Sequence, residues 1–349
     1  MTVKLEETVK IGAREIGRGG PTYVIAEIGS NHGGDLERTL KLVAACAEAG
    51  ADAAKLQSWT VAGLQNCKDV TPEGLVDSKS WPVLERYCLP DDWHSRLSAH
   101  CRKSGLAFLS TPFDLGRARL LRSLDVPAIK IASGDLTYDE LLEEVGSYGL
   151  PVLLSTGMAN LGEIEHALTA LGSAAKRTVL LHCVGAYPPE PEDANLKALV
   201  ALQQAFGLPV GLSDHFPGHA MAVAAVALGA CVIEKHVTFA RTDGHPDSPF
   251  ALEIPELAEL VRTLRTIERA LGDGRKRCMP SESGGLIGGR RCVFAARDLP
   301  AGRALARDDL AVVRPAIGEI APAQLRSVVG RKLRNPLSKG VPLSWKDLG

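Results

Sequence analysis

Eight short β-rich runs, each followed by a loop, an amphipathic stretch and a Gly or Pro stop, dominate the first 272 residues. Strand and helix alternating eight times predict parallel strands joined by crossover helices, which close into a (β/α)₈ TIM barrel. The runs are apolar at their starts and polar at their ends, so the polar ends are expected at the barrel mouth. The eight runs are residues 24–30, 53–58, 107–113, 128–133, 151–157, 179–184, 209–215 and 231–238.

Two segments interrupt this alternation. Residues 59–91 are long for a connection and contain Trp59 and Tyr87, which predicts an ordered cover over part of the barrel mouth. Residues 273–290 are rich in Gly, Ser and basic residues, which indicates a linker. The sequence therefore predicts a barrel domain over 1–272, a linker over 273–290 and a small β-rich domain over 291–349.

The charge balance restricts the class of partner. Lys and Arg number 40 against 41 Asp and Glu, which argues against nucleic acid or an anionic membrane surface as a partner. The sequence contains no run of about 18 apolar residues, so no membrane span is expected. The N-terminal stretch lacks the apolar core of a signal peptide. The 8 Cys are scattered without a CxxC pair, so we expect reduced packing thiols in a cytoplasmic protein.

The run CVIEKHVT carries three consecutive ionisable residues among strand-forming ones. Alternation puts Glu234 and His236 on one face and Lys235 on the other, while the seventh run ends in His215. Imidazoles at adjacent strand ends, about 4.8 Å apart, can reach one ion. Two His ligands leave positions open for water and substrate, as in a catalytic metal site. The alternative is that each His is a hydrogen-bonded packing residue. Spacing alone leaves Mn²⁺, Mg²⁺, Zn²⁺ and Co²⁺ open.

The other runs also end in polar side chains, any one of which alone would suit a solvated loop. Together, two lysines and several hydroxyls suit a phosphate and a carboxylate. Strict alternation puts Lys130 and Ser133 on opposite faces, so one of them must lie past the strand end. These polar residues are Glu27, Lys55, Gln57, Ser110, Thr111, Lys130, Ser133, Asp135, Ser155, Thr156 and Ser213.

Three loops add candidate contacts. The segment SNHGGD (30–35) has glycines that allow close backbone approach to a ligand. AYPPEPEDANL (186–196) presents Tyr187, and TDGHPDSPFAL (242–252) carries Asp243 and Asp247. Either aspartate suits sugar hydroxyls, and either suits a turn.

Together these residues resemble the sialic acid synthase family. The motifs are VIAEIGSNHGGD, AKLQ, LSTPFD, KIASGD, LSTGM, AYPPEPED-NL, GLSDH and IEKH, in that order, then RPAIG near the end. The resemblance implies a TIM barrel with a C-terminal antifreeze-like (SAF) domain. It also implies condensation of phosphoenolpyruvate with an N-acetylated hexose, usually N-acetylmannosamine, with release of phosphate. A divalent metal, commonly Mn²⁺ with Mg²⁺ or Co²⁺ as alternatives, and a domain-swapped homodimer are implied as well.

The resemblance also implies residue roles. His215 and His236 would hold the metal, Glu27 would act at the sugar and the attacking water, and Asp135 would lie near the reacting carbons. Arg314 would reach the partner subunit's sugar site. Lys55, Thr111, Lys130, Ser133, Ser155 and Ser213 would hold phosphoenolpyruvate, and Gln57, Tyr187 and Asp247 would contact the open-chain sugar.

Departures from the family pattern bear on which sugar is the acceptor for phosphoenolpyruvate. Many sialate synthases carry Asn where this chain has Gly185, and GHPDSPFAL is more like the pseudaminate and spore-coat branch. A pseudaminate, legionaminate or spore-coat sugar synthase is therefore the alternative. A phosphoenolpyruvate aldol-type enzyme acting on a sugar phosphate and a non-catalytic carbohydrate-binding homologue are further alternatives. The last would be expected to lack a metal ligand or Glu27.

Overall fold

A computed structural model describes residues 8–349. Residues 1–7 lie outside the described residues. They are the start of the predicted barrel domain and of the N-terminal stretch that was expected not to be a signal peptide. The chain divides into two compact units on either side of the Gly272–Asp273 bond. Within residues 8–349, no helix has the length and apolar character needed to cross a membrane.

Both units are described by the following elements. The strands are β1 (Thr8–Ile11), β2 (Arg14–Gly17), β3 (Tyr23–Glu27), β4 (Ala53–Ser58), β5 (Lys68–Thr71), β6 (Gly74–Asp77), β7 (Ala107–Pro112), β8 (Ile129–Ile131), β9 (Val152–Ser155), β10 (Thr178–Cys183), β11 (Val210–Asp214), β12 (Val232–Thr238), β13 (Leu252–Glu253), β14 (Cys292–Ala295) and β15 (Leu310–Val313). The helices are α1 (Leu36–Glu48), α2 (Val61–Leu64), α3 (Trp81–Arg86), α4 (Asp91–Lys103), α5 (Leu115–Ser123), α6 (Asp139–Gly146), α7 (Leu161–Ala170), α8 (Ala198–Phe206), α9 (Ala220–Ala227), α10 (Ile254–Leu271), α11 (Ser283–Gly288) and α12 (Leu325–Val328).

The predicted barrel is confirmed. Its eight strands are parallel and hydrogen-bonded in the order β7-β4-β3-β12-β11-β10-β9-β8. Strands β7 and β8 lie side by side without a ladder, so the barrel is nearly closed. Parallel strands place all their carboxyl ends at one mouth, which brings together the polar ends read from the sequence.

The helices form where the sequence supplies caps and an apolar face. Asp35 caps α1 by accepting hydrogen bonds from the backbone N–H groups of Glu37 and Arg38. Leu42, Val43 and Cys46 lie on the buried face of this helix. Gly50 follows its end with a φ of +90°, a conformation that favours glycine.

An N-terminal hairpin, β1–β2, was not predicted. Its strands are antiparallel, with Val9 opposite Ile16. Both residues and Ile11 are buried in a cluster with side chains from the barrel strands, including Ile25 and Leu109. Four-residue strands with so few apolar positions give too weak a periodic signal to be recognised in isolation.

The long segment 59–91 is ordered, while its predicted role as a cover over the barrel mouth stays a prediction. Trp59 donates a hydrogen bond from Nε1 to the Leu84 carbonyl and packs edge-on against Phe113, with ring centroids 5.9 Å apart. The hairpin β5–β6 within the segment is exposed, including the side chains of Val70 and Leu75. Its antiparallel pairing was not anticipated from the sequence.

The second unit is small and β-containing, as predicted. Strands β14 and β15 pair antiparallel over an apolar cluster that includes Val293, Leu310 and Leu343. A fully buried carboxylate, Asp309, is held by Arg303 and Arg297. The predicted linker 273–290 contains the short helix α11, which the composition did not indicate.

Candidate active site

A cavity of about 340 Å³ lies at the carboxyl ends of the barrel strands. It is lined by Glu27, Lys55, Gln57, Thr111, Phe113, Lys130, Ala132, Ser133, Gly134, Ser155, Met158, Cys183, Gly185, Tyr187, Ser213, His215, Glu234, His236 and Asp247. The residues to which the resemblance assigned roles all line this cavity except Asp135 and Arg314, and the further strand-end candidates Ser110 and Thr156 do not line it. The convergence follows from the parallel barrel, since residues more than 200 positions apart in the chain meet at one mouth.

One side of the cavity holds a buried ion pair. Lys55 Nζ lies 2.8 Å from Glu27 Oε2 and donates a hydrogen bond to Thr111 Oγ1 at 3.1 Å. Gln57 Nε2 donates to the other Glu27 oxygen at 2.8 Å. Burial lowers the pKa of Lys55, but the carboxylates of Glu234 and Glu27 outweigh it, so the pKa stands above its usual value. Lys55 is therefore a fixed cation.

A second buried lysine faces the first across a carboxylate. Lys130 Nζ donates to Ser155 Oγ at 2.7 Å, and burial holds its pKa below the usual value. Glu234 lies 3.7 Å from the Nζ of Lys130 and 3.7 Å from that of Lys55, and it accepts a hydrogen bond from Ser213 Oγ at 2.8 Å. Burial alone would raise the pKa of Glu234, but the two lysines hold it below its usual value. Glu27 and Glu234 balance the charges of Lys55 and Lys130, so the lysines offer an anionic ligand charged N–H donors rather than a net positive charge.

The predicted placement of Lys130 and Ser133 is explained by the length of β8. The strand ends at Ile131, and Ser133 lies beyond it in a 3₁₀ turn, Ser133–Asp135. Both side chains line the cavity because the turn reverses the alternation. Ser133 Oγ also accepts a hydrogen bond from the backbone N–H of Gly157 at 3.0 Å.

The two predicted imidazoles lie together. The ring centroids of His215 and His236 are 5.3 Å apart, with planes inclined by 52°. His215 Nδ1 lies 3.1 Å from the Val184 carbonyl, and His236 Nδ1 lies 3.5 Å from Asp247 Oδ2. An acceptor beside each Nδ1 favours the tautomer that leaves Nε2 with a free lone pair. Burial, then the neighbouring His236, lowers the pKa of His215 to about 3, so its imidazole is neutral.

These residues fit a divalent metal with an open coordination sphere. Across residues 8–349, no three His, Cys, Asp or Glu side chains converge as a complete ligand set. A metal held there would have two imidazole ligands from the protein and would take its other ligands from water and substrate. The 3.5 Å contact of His236 Nδ1 with Asp247 Oδ2 lacks the geometry of a hydrogen bond and is electrostatic, and it still favours a proton on Nδ1.

The two aspartates left open by the sequence are separated by the structure. Asp247 lines the cavity, and its Oδ2 accepts a hydrogen bond from the Ser30 backbone N–H at 2.7 Å. A Cβ on Gly29 would lie 2.2 Å from that oxygen, so only glycine fits beneath it. Asp243 instead pairs with Arg38 and accepts from the Ala240 backbone N–H, which is a turn role.

Aromatic rings enclose the histidines. The Tyr187 ring lies 4.2 Å from His215, and the Phe250 ring lies 5.1 Å from His236, centroid to centroid. Cys183, taken from the sequence as a packing thiol, lines the cavity with Sγ 3.8 Å from His215 Nδ1. The feature of the sequence that could have identified Cys183 as a cavity residue was its position at the end of the sixth run. Phe250 and Glu234 were likewise not singled out as site residues.

Two predicted site residues lie elsewhere. Asp135 follows the cavity residues Ser133 and Gly134, but its side chain does not line the cavity. Burial raises the pKa of Asp135 to about 6, with the Lys130 charge opposing, and its Oδ2 has no hydrogen-bond partner among the described residues. Arg314 is an exposed residue of the second unit, and its reach to a partner subunit stays a prediction.

A parallel barrel with buried lysines, hydroxyls and two imidazoles at its mouth is the arrangement of a TIM-barrel enzyme. The chain belongs to the NeuB family, whose model matches residues 42–276, and residues 290–349 match the SAF domain. The family and the barrel-plus-SAF architecture predicted from the motifs are thereby confirmed.

Known proteins similar to this chain include several synthases. The N,N'-diacetyllegionaminic acid synthase of Campylobacter jejuni is 40% identical over 308 residues, 85% of this chain and 91% of that protein. The pseudaminic acid synthase of Helicobacter pylori is 31% identical over 334 residues, 94% of this chain and 98% of that one. The crystal structure of N-acetylneuraminic acid synthetase from Leptospira borgpetersenii, in complex with citrate, has a TM-score of 0.73 and 33% identity, covering 81% of this chain and 96% of that one.

Proposed function

We propose that this chain is a nonulosonate synthase that condenses phosphoenolpyruvate with an open-chain N-acetylated hexose, such as N-acetylmannosamine, and releases phosphate. The observation that carries the proposal is the pairing of two functions in one cavity: the lysines flanking Glu234 and the imidazoles of His215 and His236. Membership of the NeuB family supports the same reaction class.

Phosphoenolpyruvate would bind at the lysine side of the cavity. Lys55 and Lys130 supply buried positive charge, and charge-assisted hydrogen bonds to a carboxylate or phosphate are the strong ones. The hydroxyls of Thr111, Ser133 and Ser155 accept hydrogen bonds from the protein and can each donate one to the ligand. Ser213 also lines the cavity, but its hydroxyl donates to Glu234. This set suits a donor with two anionic groups.

A divalent metal, Mn²⁺ in the first place and Mg²⁺ or Co²⁺ as alternatives, would be held by His215 and His236. Bound there, it would supply a Lewis acid for the aldehyde oxygen of the sugar. Asp247 beside His236 Nδ1 and the Val184 carbonyl beside His215 Nδ1 would keep the two rings in the ligating orientation.

The bond changes balance with water as co-reactant. The C2–C3 double bond of phosphoenolpyruvate opens as C3 bonds to the aldehyde carbon, and C2 becomes cationic. The aldehyde oxygen takes up one proton to become a hydroxyl, and the water that adds at C2 later gives one proton back. Water adds to C2, and the adduct loses phosphate to give the 2-keto acid. Glu27 is held by Lys55 and Gln57 at the cavity wall, which suits it to take the proton that the water gives up.

The acceptor would lie against Gln57, Tyr187 and Asp247, all of which line the cavity. A sugar with two acetamido groups, as for a legionaminate or pseudaminate synthase, is the second candidate. It is favoured by the 40% identity to the N,N'-diacetyllegionaminic acid synthase. A non-catalytic homologue is disfavoured because Glu27, His215 and His236 all line the cavity.

We further propose a domain-swapped homodimer in which Arg314 approaches the partner's sugar site. Arg314 is exposed, and Ile317 in the same motif is 60% exposed, a combination suited to contact with another chain.

The deciding experiment offers the purified protein phosphoenolpyruvate with Mn²⁺ and a panel of N-acetylated hexoses carrying one or two acetamido groups. Phosphate release measures turnover, and mass spectrometry with NMR identifies the product. We expect a 2-keto sugar acid three carbons longer than the acceptor. Phosphate release that does not depend on any sugar, or none at all across the panel, contradicts the proposal.

A further inference from the structure

Behind the two histidines, on the opposite face of the same strands, lies a second pair of residues. Asp214 precedes His215 and Lys235 precedes His236, and the two are register partners across β11 and β12. Each is 1% exposed. The front face thus holds the imidazoles, and the back face holds a buried carboxylate and a buried ammonium.

The contacts of Lys235 bracket His215 along the chain. Its Nζ lies 3.0 Å from Asp214 Oδ2 and also donates a hydrogen bond to the Phe216 carbonyl. The other Asp214 oxygen accepts from the Phe216 backbone N–H at 2.9 Å, which closes a tight turn around His215. One ammonium therefore holds the residue before His215 and the residue after it.

The two histidines differ in how their backbones are held. His236 lies within β12 and is paired in register with Glu27 of β3. His215 lies one residue beyond the end of β11, where the ladder to β12 has stopped at Asp214 and Lys235. Because the His215 backbone has no strand pairing, its position depends on other contacts. The contacts of Lys235 with Asp214 and Phe216 take the place of the missing ladder hydrogen bonds.

Stability alone does not account for this pair. Removing two charges from water is costly, and apolar residues of similar volume in place of a buried ion pair are often neutral or stabilising. An apolar pair, however, could neither hold the Phe216 carbonyl nor close the turn. The polar pair therefore adds directional contacts around His215 that packing would not supply.

We infer that Lys235 and Asp214 are positioning residues that hold the His215 imidazole at a ligating distance from His236. The inference rests on the proposed metal site at those two histidines. It assigns to Lys235 a role through the backbone of the neighbouring strand, without contact with substrate or metal.

The test measures Mn²⁺ affinity directly, by electron paramagnetic resonance of free Mn²⁺, on the full chain. Lys235→Met is expected to weaken binding about 10- to 100-fold, as loss of groups that orient ligands does. Because that variant leaves Asp214 buried and unpaired, the double variant Asp214→Leu/Lys235→Met is measured beside it. We expect it to fold, with some loss of thermal stability because the Phe216 N–H and carbonyl lose their partners, and to bind Mn²⁺ weakly. Lys176→Met, at an exposed position, is the matched control and should bind as the wild type does.

The outcomes separate the inference from the proposed function. Wild-type Mn²⁺ affinity in the folded double variant overturns the positioning role while leaving the metal site intact. A wild-type protein that itself binds no Mn²⁺ overturns the metal site and the inference with it. Weaker binding in both variants, against an unchanged control, supports the inference.

Discussion

Glu27 and Lys55 are register partners on β3 and β4, and their side chains form a buried ion pair with Nζ 2.8 Å from Oε2. The pair joins the proposed proton-transfer group to the proposed anion site. Glu234 lies on the far side of Lys55, at 3.7 Å, so Lys55 keeps a carboxylate neighbour if Glu27 is changed. Chemistry at Glu27 can therefore be tested without leaving the lysine unpaired.

Replacing Glu27 with Gln keeps the shape of the side chain and removes its capacity to accept a proton. We expect kcat to fall about 10²- to 10⁴-fold, the usual range for loss of a general base. The measurement is steady-state phosphate release, with Glu37→Gln on the exposed side of α1 as the control. A kcat within a few-fold of wild type would rule out Glu27 as the base.

Replacing Lys130 with Met removes one of the two buried cations. We expect KM for phosphoenolpyruvate to rise about 10- to 100-fold, since hydrogen bonds to charged groups contribute about 1.5–3 kcal/mol. The sugar KM should change far less. Initial rates across both substrates check this, and Lys176→Met is the exposed control. An unchanged phosphoenolpyruvate KM would place the donor elsewhere.

Metal dependence is tested by chelation. Excess chelator should abolish phosphate release, and added Mn²⁺ should restore it. His236→Asn should lose activity in a way that Mn²⁺ does not restore, while His166→Asn, whose side chain is 62% exposed on α7, should behave as wild type. Full activity in chelator would end the metal proposal.

Asp135 gives a prediction about stability and pH. Its pKa is raised to about 6 by burial, so the folded state binds this proton more tightly than the unfolded state. Stability from this group is present below its ordinary pKa and is lost as the pH rises through 6. At about pH 8, Asp135→Asn should therefore be more stable than wild type by on the order of 1–2 kcal/mol.

That advantage of Asp135→Asn should shrink as the pH is lowered through 6. Urea denaturation over a pH series measures it, with Asp193→Asn, at an exposed position, as the control. A difference from wild type that does not vary with pH would show that Asp135 is not desolvated in solution.

Arg314 is tested by complementation between subunits. Arg314→Ala should raise the sugar KM and leave the phosphoenolpyruvate KM nearly unchanged. Mixing inactive Glu27→Gln with Arg314→Ala under conditions of subunit exchange should restore up to about a quarter of wild-type activity, because about half of the dimers then hold one complete site. Activity no greater than that of the separate variants would contradict capping across the dimer.

Much of the site was predictable because side chains alternate between the two faces of a strand. Alternation placed Glu234 and His236 on one face and Lys235 on the other, and the structure agrees, with Lys235 paired to Asp214 behind the strand. Ser213 and His215 face the cavity for the same reason. Period-two patterns over five to seven buried residues are strong local signals.

Residues at turns were less predictable. Asp135 was expected near the reacting carbons, but its side chain does not line the cavity; it belongs to the 3₁₀ turn after β8, where strand alternation no longer applies. Residue type alone left Asp243 and Asp247 equivalent, and the resemblance chose Asp247. In the structure, contacts with Arg38 and Ser30, both more than 200 residues earlier, separate the two aspartates. The hairpin β1–β2 depends on burial against barrel strands that its own residues do not encode.

The amino-acid sequence by itself determined the barrel, the appended small domain and the set of polar strand ends, because these follow from local periodicity and from motifs along the chain. The tertiary structure alone decided which charges share a cavity and which carboxylate belongs to which cation. The sharing of Glu234 between Lys55 and Lys130 and the bracketing of His215 by Lys235 are contacts between strands. Such contacts depend on register and on exclusion of water, which no local pattern specifies.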